Sequence, residues 1–397
     1  MAQATSIADT TGCTAVIRLI AGHGHGVIHT VLDASANDLG LAHGNDRGMQ
    51  RDGTTLDALA RGEIRVDVCG VTEREHSRIN SMLARMMRTL CMCAALVLLG
   101  GCASMRGDTH ETSVVVLGIA QDGGVPQAGS FADERWDDPS RMRQVVCLGI
   151  IDARAGKRWM IEATPDFKRQ LLQLYRASHA APRPVLDGIF LTHAHMGHYT
   201  GLMFLGHESM GAQGVPVYAM PKMSEFLQHN GPWEQLVRYG NIELRPMASG
   251  QLIQLADDLS IEPIAVPHRQ EYSEVVGFRI KGPSRSVLFI PDIDSWEQWD
   301  ALGTRIEDLI ASVDVAYLDG TFFDNGEIPG RDMTGFPHPF VRHSLNRFAA
   351  LSASERAKIR FIHFNHTNPA LDESSDATRV IHDAGMNVAR EGERQDL

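Results

Sequence analysis

The chain has 397 residues, of which 43% are hydrophobic and 22% charged, and this excludes wholesale disorder because it supplies enough apolar material for a core. The formal net charge of −12 argues against a nucleic-acid-binding protein, since that class carries a basic surface. At roughly 150 residues per domain, the length by itself predicts two or three domains.

Residues 1–81 show no pattern typical of a folded domain. They contain no lysine, several isolated glycines and no sustained helical or strand period. Two explanations stay open. Either the segment is an artefact of start-site assignment, with translation beginning at Met82, Met86 or Met87, or it is a disordered N-terminal extension.

The segment 82–101 is typical of a bacterial secretory signal peptide. Arg85 and Arg88 precede an apolar stretch of about ten residues, whereas a membrane span needs about 20. The stretch ends in Leu-Gly-Gly-Cys, which resembles a lipobox, so we expect lipidation of Cys102 and a linker over 102–112. The pattern predicts an exported lipoprotein, anchored by that lipid to the periplasmic face of a bacterial membrane, with the outer membrane favoured.

The remaining segment, 113–397, alternates strand and helix patterns without a convincing linker, and we expect one α/β domain with two sheets and helices outside. Strands are predicted, in chain order, at 113–119, 145–151, 158–162, 187–192, 215–219, 260–266, 275–280, 286–290, 313–318 and 360–364. Helices are predicted from Thr164 onward and at 201–210, 221–229, 305–311 and 339–351.

Three histidines follow the predicted strand at 187–192. His193 and His195 stand two residues apart, so both imidazoles leave the strand on the same side, and His198 returns beside them from the start of a helix. Imidazole is the common protein ligand of zinc, and three of them leave a position open for water. Because water bound to such a metal has a pKa of about 7 and is a nucleophile, the spacing predicts a hydrolytic metal site.

This stretch resembles the metallo-β-lactamase fold superfamily, whose signature is His-x-His-x-Asp-His after a strand. The resemblance extends over roughly 113–388 and implies an αββα four-layer sandwich, with two mixed sheets and helices outside. It also implies further metal ligands, each at the carboxyl end of a predicted strand: His268, Asp292 and His363.

Four longer phrases are most similar to the pyrroloquinoline quinone biosynthesis protein B (PqqB) group. They stand at 116–127, 318–322, 330–333 (followed by His338-Pro339) and 361–369. That group has a degraded histidine motif that keeps the Asp. This chain has intact histidines, and Gly197 stands where the superfamily has the Asp. The resemblance therefore implies common ancestry more strongly than a common reaction.

The exchange at Gly197 bears on the number of metal ions, because in the superfamily the Asp at that position ligates the second metal. His366 could supply a replacement, so both the metal count and the choice between His363 and His366 as last ligand stay open. We expect zinc, one ion or two, with iron or manganese as alternatives where carboxylates contribute. The candidate ligands are His193, His195, His198, His268, Asp292, His363 and His366.

Three further residues are candidates for catalysis. His338 matches a histidine of the superfamily's phosphodiesterase-like branch that follows an Asp-x-Thr-Phe stretch, here 319–322, and is expected to protonate a leaving group. The alternative is that His338 caps the helix predicted at 339. Asp319 and Asp294 are expected to orient imidazoles, with turns or helix caps as their alternative roles.

The first functional hypothesis is a metal-dependent hydrolase in which metal-bound hydroxide attacks a small-molecule ester, lactone, amide or phosphodiester. The loops at 121–143 and 323–336 are expected to select that substrate. The resemblance implies a second hypothesis: a PqqB-like protein that carries or processes the quinone cofactor or its precursor. A third, an oxygen-using metal enzyme acting on a peptide-derived precursor, also follows only from the resemblance.

Overall fold

The computed structural model describes residues 112–178, 185–269 and 271–397, together with the backbone of residues 8–9 and 12–13, which pair in a short antiparallel ladder. The chain divides into two compact units, 1–107 and 108–397. The predicted signal peptide and Cys102 lie outside the described residues. Among those described, no helix combines the length and the apolar character that crossing a membrane requires.

The described residues of the second unit form fourteen strands in two sheets of seven. The strands are β1 Thr112–Gly118, β2 Cys147–Asp152, β3 Lys157–Ile161, β4 Gly188–Phe190, β5 Val215–Ala219, β6 Ile242–Pro246, β7 Ile253–Ala256, β8 Leu259–Ala265, β9 Val276–Lys281, β10 Ser286–Ile290, β11 Val315–Asp319, β12 Ile359–Ile362, β13 Asn387–Val388 and β14 Arg394–Asp396.

Both sheets are mixed. The first has the order β14-β1-β2-β3-β4-β5-β6, and its strands from β3 to β6 run parallel. The second has the order β13-β12-β11-β10-β9-β8-β7, and its strands from β10 to β13 run parallel. Parallel strands end at the same edge of a sheet, and open α/β folds bind ligands at that edge.

The described residues also form nine α-helices: α1 Phe167–Ser178, α2 Met196–Tyr199, α3 Pro221–His229, α4 Trp233–Arg238, α5 Trp296–Ala301, α6 Ile306–Ala311, α7 Val341–Phe348, α8 Ala353–Arg356 and α9 Asp376–Asp383. Short 3₁₀ helices occur at Glu134–Asp137, Thr200–Leu205 and Pro369–Leu371.

The alternation of buried side chains along β1 shows how the layers pack. Val114 and Val116 point into the core between the sheets, whereas Val115 and Leu117 point into a second core that Phe167 of α1 covers. Helices also cover the other face of the second sheet, where Trp296 of α5 packs 5.8 Å from Phe348 of α7 between ring centroids. The predicted αββα class is confirmed.

Several predicted boundaries differ from those observed. The strands at 215–219 and 286–290 and the helix at 221–229 match, but the helix predicted at 201–210 is wrong, because a 3₁₀ helix over Thr200–Leu205 stands there. The four strands that were not predicted, β6, β7, β13 and β14, are the edge strands of the two sheets. Edge strands are half exposed, so their sequences lack a continuous apolar signal.

Candidate metal centre

The motif histidines lie in the turn that joins β4 to α2. His195 is extended (φ −78°, ψ 144°) and directly precedes α2, which carries His198. The backbone N–H of His198 donates to the carbonyl of His195 (3.0 Å), and the carbonyl of His198 accepts from the N–H of Ala163 (2.9 Å). The turn is therefore bound to the chain that leaves β3, and its imidazoles lie at the edge where the parallel strands end.

A first group of ligand atoms consists of three imidazoles. The Nδ1 atom of His195 lies 2.8 Å from Nε2 of His193 and 3.3 Å from Nε2 of His268. Asp292 reaches the same group, because its Oδ1 atom lies 3.7 Å from Nε2 of His268. His193 and His268 are buried, and His195 is partly exposed. The predicted residues His193, His195, His268 and Asp292 are thus brought together.

A second group of ligand atoms lies on the other side of Asp292. Nε2 of His198 is 3.4 Å from Oδ2 of Asp292, and Nε2 of His363 is 3.4 Å from its Oδ1. The fourth member is Asp122, whose Oδ1 atom lies 3.1 Å from Nε2 of His198. Asp292 therefore faces both groups, and His198 and His363 lie where the resemblance implied.

Asp122 is not among the residues that the sequence predicts for the site. It follows β1 in a turn closed by a hydrogen bond from Gly124 N–H to the carbonyl of Gln121 (2.8 Å), and Gly124 has a φ of +69° that favours glycine. The Gln-Asp-Gly-Gly sequence signals such a turn, but no local pattern tells which site its side chain reaches.

The structure does not bring His366, the alternative last ligand, into the centre. Among the described residues, His366 belongs to none of the groups whose ligand atoms converge. The chain after His363 turns away, and the carbonyl of His366 accepts a hydrogen bond from Arg135 (2.8 Å) in the long loop after β1. His363 is the residue that enters the centre.

Each imidazole is oriented by a partner on its second nitrogen. His268 Nδ1 pairs with Asp294 (2.7 Å), His195 Nε2 with Glu271 (3.1 Å), and His363 Nδ1 with the hydroxyl of Thr321 (2.8 Å). Such partners fix the ring and the tautomer, which leaves the other nitrogen free to bind a metal. The predicted orienting role of Asp294 agrees with this contact.

Glu162, directly after β3, reaches both groups. Its Oε1 atom accepts from His198 Nδ1 (3.1 Å) and from the Thr192 hydroxyl (2.5 Å), which lies 2.8 Å from His193 Nδ1. Glu162 is wholly buried and has a φ of +83°. His338 and His363 share this unusual feature, with φ values of +88° and +67°. Backbone strain of this kind clusters at functional sites.

The charges around His198 favour a cation. Burial acts to lower the pKa of His198, but the charges of Asp292 and Glu162 outweigh it and raise that pKa well above its usual value. Burial acts to raise the pKa of Asp122, but the imidazole of His198 beside it lowers that pKa well below its usual value. Burial lowers the pKa of His193, which favours the neutral ring, and a neutral imidazole has a nitrogen lone pair.

His338 stands beside both groups and pairs with a buried carboxylate. Its Nδ1 atom lies 2.7 Å from Oδ2 of Asp319, and one of its ring nitrogens lies within 4.8 Å of ligand atoms of His268 and Asp292. Burial acts to lower the pKa of His338, but Asp319 outweighs it and raises that pKa. Because Asp319 occupies Nδ1, the Nε2 atom is left for a reacting group. The Phe322 ring lies 6.3 Å from the His338 ring between centroids and packs against Phe336.

The donor set fits a metal ion. Four atoms of this centre are buried and make no hydrogen bond: Asp122 Oδ1, His198 Nε2, Asp292 Oδ2 and His363 Nε2. A buried polar atom without a partner is costly, and nitrogen and carboxylate oxygen atoms that converge in this way are metal ligands. The centre is therefore built to hold metal.

Comparison with known proteins agrees with this geometry. The family described as the beta-lactamase superfamily domain matches residues 157–366, more than half of the chain. Coenzyme PQQ synthesis protein B of Methylorubrum extorquens (strain PA1) is 25% identical over 312 residues, which cover 72% of this chain and 99% of that protein. The same protein of Xanthomonas campestris pv. campestris (strain B100) is 25% identical over 305 residues, covering 70% and 98%.

Solved structures show the same fold. Zn²⁺-bound PqqB from Methylobacterium extorquens has a TM-score of 0.59 at 22% identity and covers 72% of this chain and 100% of its own. A diphosphatase from the PhnP family has a TM-score of 0.50 at 22% identity, covering 72% and 96%. The resemblance predicted from the histidine motif and the longer phrases is confirmed, and the chain belongs to the beta-lactamase superfamily.

Proposed function

We propose that this protein is a metal-dependent hydrolase acting on an ester, lactone, amide or phosphodiester. The observation that carries the proposal is the convergence of buried, unpaired imidazole and carboxylate atoms beside the Asp319–His338 pair. A metal ion held there would supply Lewis acidity and lower the pKa of a bound water molecule. Zinc is the ion we propose, because imidazoles dominate the donor set and a relative of the same fold binds Zn²⁺.

The chain's own residues supply the rest of the chemistry. His193, His195 and His268 would hold the first ion, and Asp292 faces both groups. His338 carries a proton on Nε2 and gives it to the leaving group, while Asp319 holds the ring in position and stabilises its charged form. The Phe322 ring, which lies beside His338, supplies an apolar surface on that side.

The test combines metal analysis with a hydrolase screen of the purified protein. We expect at least one metal ion per chain and turnover of at least one class of chromogenic ester, lactone, amide or phosphodiester. His195→Ala should abolish turnover. The control is His229→Ala, which should leave turnover unchanged because His229 is exposed at the end of α3. Full activity in His195→Ala, or turnover by metal-free protein, would contradict the proposal.

A second candidate function is favoured by the likeness to coenzyme PQQ synthesis protein B along nearly that protein's whole length. On this proposal the protein carries or processes a quinone cofactor or its precursor. Metal-free protein that binds the quinone, without turnover in the screen, would favour this function over hydrolysis.

We also propose that the protein is exported and carries a lipid on Cys102, which places its small-molecule substrate on the periplasmic side of the membrane. The support is the sequence of 82–102 alone. Mass spectrometry of the native N-terminus tests it, and Cys102→Ser should release the protein from the membrane fraction. A native product that retains residues 1–81 would contradict the proposal.

A further inference from the structure

Gly197 occupies the motif position where the superfamily has a metal-binding Asp, yet the space beside it is filled. A Cβ atom placed on Gly197 would lie 2.2 Å from Oδ1 of Asp122 and 2.4 Å from its Cα atom. No real Cβ tolerates such contacts, so any side chain at 197 would displace Asp122. The carboxylate of Asp122 can therefore occupy this position only because residue 197 is a glycine.

The backbone fixes Asp122 in this position. The N–H of Gln121 donates to the carbonyl of Phe364 (2.8 Å), and the N–H of Phe364 donates to the carbonyl of Ile119 (2.8 Å). Gln121 is also held by its side chain, which accepts from Asn365 (2.5 Å). Since Phe364 follows His363 directly, the same hydrogen bonds that hold the turn bring Asp122 and His363 to one point.

The atoms that meet there have the spacing of a metal site. Nε2 of His198 lies 3.1 Å from Asp122 Oδ1 and 3.4 Å from Asp292 Oδ2, and the second oxygen of Asp292 lies 3.4 Å from Nε2 of His363. Tetrahedral zinc at about 2.0–2.1 Å from its ligands sets them about 3.3–3.4 Å apart. Asp122 is partly exposed as a residue, but its Oδ1 atom is buried and lacks a hydrogen bond.

We propose that Asp122 replaces the missing motif Asp as a ligand of a second metal ion, which it holds together with His198, Asp292 and His363. The protein then binds two ions although its motif lacks a conventional second-site ligand, and Gly197 is the residue that admits the new one. This inference rests on the proposed metal centre, but it does not require that the reaction be hydrolysis.

Metal stoichiometry of the purified full chain after dialysis against Zn²⁺ tests the proposal. We expect two ions per chain in the wild type and one in Asp122→Asn, which keeps the size of the side chain but removes the charge. Gly197→Ala should also lose one ion, because its Cβ displaces Asp122. His366→Ala should keep both. One ion in the wild type, or two in Asp122→Asn, overturns the proposal. Neither result would contradict the proposed hydrolase function, which needs only the first metal ion.

A second measurement reports ligation directly and does not depend on activity or on the stability of one variant. In Asp122→Cys loaded with Co²⁺, a thiolate ligand produces a charge-transfer absorption in the near ultraviolet that the wild type lacks. His366→Cys is the matched control, because His366 lies outside the ligand groups, and should show no such band. A band in His366→Cys with none in Asp122→Cys would assign the second site to His366 and overturn the proposal.

Discussion

Replacing Glu162 by glutamine is expected to lower the affinity of the centre for Zn²⁺ by about 10- to 100-fold, because partners of this kind set the orientation and tautomer of their imidazoles. At about 1.4 kcal/mol per tenfold change, this is about 1.4–2.8 kcal/mol of binding free energy. We expect the upper part of the range, since Glu162 is wholly buried and its Oε1 atom serves His198 directly and His193 through Thr192.

The amide cannot reproduce these contacts. One oxygen of Glu162 accepts from His198 Nδ1 and the other lies 3.4 Å from the backbone N–H of Thr192. Either orientation of a glutamine therefore turns an NH₂ group towards a donor. If that donor is His198, its proton must move to Nε2, the atom that faces the metal.

Affinity is measured by competition with a chromogenic chelator, and circular dichroism checks that the variants are folded. Glu271→Gln is the matched control, because Glu271 also pairs with a ligand imidazole, His195 (3.1 Å), but its side chain is 49% exposed and water can replace it. We expect a loss of no more than about threefold there, below the range for buried partners. Wild-type affinity in Glu162→Gln, or an equal loss in both variants, would refute the reasoning.

Three further predictions concern other parts of the molecule. His338→Gln should keep its metal but lose about 10²- to 10⁴-fold in turnover of substrates with alkoxide leaving groups. It should lose much less with nitrophenolate, which leaves without a proton; equal losses would remove His338 as the acid. Burial raises the pKa of Glu391 to about 7, so the folded state holds its proton more tightly than the unfolded chain, and ionisation costs stability as pH rises from about 4.5 to 7. In denaturant titrations, the free energy of unfolding of Glu391→Gln should rise by about 1–3 kcal/mol relative to the wild type between pH 4.5 and 7. A difference between the two proteins that does not change with pH would contradict this. Phe190→Ala should cost about 3–5 kcal/mol of unfolding free energy, because Phe190 is buried and packs on rings of both sheets, while Leu252→Ala, at an exposed position, should cost under about 0.5 kcal/mol.

The strands that could be predicted are the inner ones. β5 and β10 are bounded in the sequence as they are in the structure, because both are buried and rich in β-branched or apolar residues. The edge strands β6 and β14 could not be predicted, because they gain their hydrogen bonds on one side only and present polar residues to solvent.

The candidate ligands that follow predicted strands could be named without the structure. His193, His195 and His198 follow from local spacing. His268 and His363 follow from the resemblance to the superfamily, which places a ligand after each of these predicted strands. Asp319 and His338 could also be named from the sequence, because the histidine follows the Asp-x-Thr-Phe stretch at 319–322. These features depend on residues that lie close together in the sequence, so the local sequence pattern is enough to predict them.

How the exchange at Gly197 is compensated could not be predicted without the three-dimensional structure. His366 lies only three residues after His363, but the chain after β12 turns away and its carbonyl accepts a hydrogen bond from Arg135. Asp122 lies far upstream and enters because Phe364 binds the turn after β1. The space beside Gly197 could be filled from the loop of Asp122 or from the loop of His366. Hydrogen bonds between segments far apart in sequence decide between them, and no local sequence pattern predicts such hydrogen bonds.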